Sequence, residues 1–183
     1  MSTEPGAGQF LNAQNKQTIY SIIKPLRELG IPAAAIVDID ILKEGGTVWS
    51  NLLGGAHVPE IEVGPLSAIR KNVLDLLVAT GKNMKRDGGI DLLSGTDKEA
   101  AENLFERLAE YGVFCVPRGE LETWLPDLGV KGKAPAWLIE IFEKLGNDPS
   151  EPSYKKPTSN DVWRFIGSLK SWFFKPDRKG IPN

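Results

Sequence analysis

The sequence predicts an α/β fold: a short, mainly parallel sheet with a helical insertion between its strands and a helical C-terminal region. Three observations carry this expectation. A segment of helical periodicity leads into an unbroken apolar run that ends in acid, Ala33-Ala34-Ala35-Ile36-Val37-Asp38, as in a βαβ unit whose strand is covered on both faces. A second short apolar run, Val113-Phe114-Cys115-Val116, follows another helical segment and ends in the turn residues Pro117-Arg118-Gly119. Finally, 183 residues at 41% hydrophobic and 25% charged suit one water-soluble core, and exclude both a disordered chain and a membrane protein.

Residues 1–8 are small and polar, with the composition of a disordered terminus. Phe10-Leu11 reads as a short strand. From Asn12 to Leu29, Ile19, Ile22, Ile23, Leu26 and Leu29 fall at the spacing of an amphipathic helix, which Gly30 and Pro32 stop and whose last turn Pro25 bends. Residues 45–64, with two Gly-Gly pairs and Pro59, read as irregular, with a helical turn or two around Val48 to Leu53. One helix then opens at Pro65 and carries Leu66, Ile69, Val73, Leu76 and Leu77. After a charged, Gly-rich turn over residues 82–89, a second opens on the capping box Thr96-Asp97-Lys98-Glu99 and buries Leu104, Phe105 and Leu108. Residues 9–123 thus form the core, with the helical insertion at about 45–111. Residues 124–183 form a distinct aromatic-rich region, with helices expected near 135–145 and 160–174.

The charge balance, 22 basic against 24 acidic residues, gives no global pull towards nucleic acid, so a nucleic-acid role must rest on local sites. One cysteine and no charged-then-apolar leader indicate a cytoplasmic chain. A single histidine, His57, excludes multi-histidine metal sites and reads as a solvated loop residue. Cys115, inside an apolar strand, reads as a buried hydrophobe and not as a nucleophile. Gly81-Lys82 lacks the first glycine of a phosphate loop, so no ATP site is visible. Chemistry therefore falls to carboxylates.

Asp38 and Asp40 stand at the C-terminal end of the first strand, where ligand sites of open parallel sheets lie, and alternation would put them on one side. Such a pair is stabilised by a divalent cation, and all-oxygen ligation suits magnesium or manganese. The alternative is that they cap the following loop or helix. Glu120 and Glu122 follow the second strand and would converge on the same edge, or else simply open a helix at the favourable end of its dipole. The aromatics Trp163, Phe165, Trp172, Phe173 and Phe174 read as core or as a docking surface, and Lys170, Lys175, Arg178 and Lys179 as a basic tail that contacts phosphates or is solvated.

The run FLNAQNKQTIYSIIKPLRELGIPAAAIVDIDILKEGG, with PRGELETWLPDLGV, APAWLIEIFEKLG and FKPDRKGIPN in the same order, resembles the C-terminal Toprim region of OLD-family ATP-dependent endonucleases, from Gln9 onward. The resemblance implies a partial Toprim, Rossmann-like fold and magnesium- or manganese-dependent cleavage of DNA phosphodiesters by two-metal hydrolysis. It assigns Asp38 and Asp40 to the family's Asp-x-Asp motif, Glu120 to its late acid with Glu122 as a helper, and Lys179 to a basic residue that stabilises transition-state charge. A complete Toprim domain begins with a strand ending in Glu-Gly. Its place here is taken by eight loose residues, and the family's ABC-type ATPase is also missing from this sequence. The expectation is therefore a truncated domain, weak or inactive until a partner supplies the strand. Its sheet edge would favour self-association. The alternative is a non-catalytic module that binds an ABC-type ATPase subunit or DNA.

Overall fold

The computed structural model describes residues 9, 11, 13, 15–119, 128–130, 136–146, 148–156 and 161–182. The fold is mixed α/β and mostly helical, built on a short parallel sheet. Helix α1 (Ile19–Glu28) leads to strand β1 (Ala35–Val37), which runs directly into a 3-10 turn (Ile39–Lys43). Helices α2 (Gly46–Gly55), α3 (Glu60–Ala79) and α4 (Gly95–Glu110) follow, and α4 feeds strand β2 (Val113–Cys115). Helices α5 (Ala136–Leu145) and α6 (Asp161–Phe174) complete the order at the positions the periodicity predicts.

Strands β1 and β2 pair in parallel, with Ala35 beside Val113, Ile36 beside Phe114 and Val37 beside Cys115. Both therefore end at one edge, as the sequence predicts, and the sheet has two strands among the described residues. Leu11 and Gln9 lie outside any strand, and Phe10 lies outside the described residues. α2 packs on α1, α3 on α4, and α4 on β2. The core they enclose includes Ile23, Val37, Ile41, Leu52, Leu66, Leu77, Leu104 and Val113. α6 covers the outer face of β2: Phe114 meets Phe165 and Trp172 edge to face at 5.9 and 6.4 Å. Trp172 is buried, with its indole N–H donating to the carbonyl of Glu110, whereas Phe174 is exposed.

Four further local expectations are corrected. Residues 46–55 form a full helix because Trp49, Leu52 and Leu53, spaced for one face, are buried, and that burial outweighs the low propensity of its glycines. α3 begins five residues before Pro65, with Glu60 and Glu62 in its first turn at the positive end of the dipole; Pro65 lies inside the helix. α4 begins at Gly95 behind Ser94, so Thr96 is already helical and its capping box does not form. In α1 the buried face is Ile19, Ile23 and Arg27, while Leu29 is exposed.

Candidate functional site

β1 delivers Asp38 to the shared strand edge because the apolar run ends there and the chain turns at once into the 3-10 segment. Asp38 occupies the N-cap position of that turn in extended backbone, yet its side chain makes no capping hydrogen bond. The capping alternative therefore does not describe Asp38. Asp40 lies within the 3-10 turn and not on an extended strand, so the alternation expected to align the two acids stops at Ile39. Both nevertheless act on the same buried group: Cys115, at the end of β2, has its thiol pushed well above its ordinary value by burial first and by the negative charges of Asp38 and Asp40 second. That thiol is inert at neutral pH.

Two lysines face the acids. Lys16 lies 3.3 Å from Asp40 Oδ2 and 2.8 Å from Glu44 Oε1, and Lys85 lies 3.3 Å from Asp38 Oδ2. The hydrogen bond to Glu44 and the charge of Asp40 hold Lys16 above its ordinary value, although burial, the largest single influence, acts the other way. Lys85 reaches the edge through backbone docking between two turns. The amide of Ile90 donates to the carbonyl of Pro117 at 3.0 Å. A Cβ on Gly89 would sit 1.9 Å from that carbonyl oxygen, and one on Gly119 would sit 2.2 Å from the carbonyl oxygen of Lys85. Only glycine allows so close an approach at either position. Beside them Asp91 receives both Lys98, at 2.7 Å, and Arg118, at 2.9 Å.

Glu120 and Glu122 lie outside the described residues. Lys179 is not brought to this edge. Its ammonium pairs with Glu110 Oε2 at 2.6 Å and lies 5.3 Å above the ring of Tyr111, just before the start of β2. In a parallel pair that is the opposite end of the strands from Asp38. His57 is not solvated as expected: it is half-buried, and its Nε2 is buried without a hydrogen-bond partner. Lys16 and Lys85 escape sequence reasoning because their partners are distant in the chain; the charged turn around Lys85 was the only available signal.

The donor chemistry of Asp38 and Asp40, hard carboxylate oxygens, fits magnesium or manganese. Among the described residues no group of three or more His, Cys, Asp or Glu side chains gathers to complete a coordination shell. Likewise, no described helix is long and apolar enough to cross a membrane. No family model, curated protein or solved structure matches this chain.

Proposed function

We propose that this chain is a divalent-metal-dependent phosphodiesterase domain of the OLD-type Toprim kind, acting on DNA. The observation that supports it best is the pair Asp38 and Asp40 at the common end of two parallel strands, with Asp38 uninvolved in capping the turn it opens. In this reading Asp38 and Asp40 hold magnesium or manganese, and Glu120, with Glu122, supplies further carboxylate. The metal supplies charge stabilisation and an activated water. Lys16 and Lys85 hold the two acids in place in the absence of a metal. Lys179, held by Glu110 at the other end of the strands, has no part. Cleavage is weak until a further strand pairs with β1, whose second edge carries none among the described residues.

Titration calorimetry with manganese tests the reading. Binding to the native chain is expected, with loss in Asp38→Asn, Asp40→Asn and an unchanged melting temperature. Plasmid nicking with the same variants follows the chemistry. A native chain that takes up no manganese refutes the proposal. The result would then favour the second reading, a binding module without chemistry. A separate observation supports that reading: Ile36, in the middle of β1, is 40% exposed while its neighbour Phe114 is covered.

A further inference from the structure

We propose that Lys85 is the phosphate-engaging cation of this edge, exchanging Asp38 for a phosphate of the nucleic-acid backbone when a divalent cation occupies the acids. This rests on the metal reading above. Lys85 and Asp38 are 47 positions apart in sequence, yet their side chains meet at 3.3 Å while remaining 34% and 46% exposed. The ammonium is therefore pinned to the acid but open to solvent and to a ligand.

Its backbone is held in place. The amide of Lys85 donates to Asn83 Oδ1 at 3.0 Å, Asn83 donates to Asp87 Oδ2 at 2.8 Å, and the amide of Gly89 donates to the carbonyl of Met84 at 2.9 Å. The docked glycines then fix this turn against the end of β2. What remains mobile is the four-carbon stem, which carries a compact charge with three donors suited to the non-bridging oxygens of a phosphate.

The neighbouring cations differ from Lys85 in what metal binding would do to them. Lys16 bridges Asp40 and Glu44, so it keeps Glu44 if a metal claims Asp40. Lys98 and Arg118 are on Asp91. Lys85 is paired with the very carboxylate the metal would take, and a divalent ion on Asp38 both removes its counter-ion and repels it. The released ammonium would then be available to a phosphate, whose negative charge would replace that of Asp38.

The test uses the full chain and the variants Lys85→Ala and Lys85→Arg. Because an exposed competing cation is removed, Lys85→Ala should bind manganese about two- to fivefold more tightly in calorimetry. A fluorescent DNA duplex, held with calcium in place of manganese, should bind more weakly to Lys85→Ala whatever its sequence. The slope of log K against log salt should fall by about one. Lys85→Arg should restore the slope. Manganese binding that is abolished by Asp38→Asn but weakened or unchanged by Lys85→Ala overturns the assignment of Lys85 alone, as does an unaltered salt slope. Absence of manganese binding to the native chain overturns the metal reading and this inference with it.

Discussion

Arg27 lies on the buried face of α1, one turn beyond Ile23, where helical periodicity asks for an apolar side chain. It is fully buried and answers that cost with hydrogen bonds to the carbonyls of Ala33, Ala56, Tyr111, Gly112 and Gly180. Ala56 and Tyr111 cap the C-terminal ends of α2 and α4, so the guanidinium also sits at the negative ends of two helix dipoles. Burial draws its pKa down to about 10, which leaves it charged at neutral pH. Arg27→Leu would strand these carbonyls and is expected to cost about 3–5 kcal/mol in urea denaturation. Arg27→Lys should recover little of that, since three donors on a point charge cannot serve so many separated acceptors.

Glu62 gives a second prediction at the same scale. Hydrogen bonds from Tyr111 at 2.8 Å and Arg107 at 3.1 Å hold its carboxyl below the usual value of 4.5, Tyr111 contributing most. A carboxyl depressed in the folded state stabilises the fold above its unfolded pKa, and that contribution is lost as pH falls through the folded value. The melting temperature should therefore drop more between pH 7 and pH 4 in the native protein than in Glu62→Gln. Equal drops would show that the Tyr111–Glu62–Arg107 contact carries no stability.

At the scale of elements, α2 ends in a Schellman arrangement. The amide of Val58 donates to the carbonyl of Leu53, and that of His57 to Gly54. His57 occupies the left-handed position, φ 52°, that glycine normally fills, and a non-glycine residue there costs about 1 kcal/mol. His57→Gly removes both this cost and the unpartnered Nε2, so a rise of about 1 kcal/mol in stability is expected from thermal and urea melts. No change would mean that the packing of the imidazole offsets the strain.

The same helix explains what could be read in advance. Strand β1 and Asp38 were legible because an apolar run ending in acid needs no tertiary knowledge, and α5 and α6 because their periodicity is long. α2 was not, since Gly45, Gly46, Gly54 and Gly55 read as breakers while the burial of Trp49, Leu52 and Leu53 depends on α1 and α3 being present. Lys85 beside Asp38 was invisible for a related reason. It depends on backbone docking around Gly89 and Gly119, which leaves no periodic trace.

For the molecule as a whole, the two-stranded sheet is covered unequally. α6 closes the face over Phe114 and leaves Ile36 exposed beside it. Ala35 and Val37 bond towards β2 through Gly112 and Val116, which turns the main-chain N–H and C=O of Ile36 to the other side. Among the described residues, an apolar side chain and a backbone without a strand partner coincide at Ile36, the combination that invites strand addition. Light scattering after size exclusion should show concentration-dependent association of the native chain, reduced in Ile36→Lys. A monomer at all concentrations would leave that face without a role in self-association.

Arg27 also sets the order in which the chain can settle during synthesis. Its acceptors appear one after another as the chain lengthens: Ala33 and Ala56 first, Tyr111 and Gly112 only with the second strand, and Gly180 last, 153 positions downstream. Contacts of such separation are slow to close, so the nascent chain holds a charged side chain beside a half-built core until the segment carrying Gly180 emerges. One arginine thereby ties the burial of α1 to chain synthesised 153 positions later.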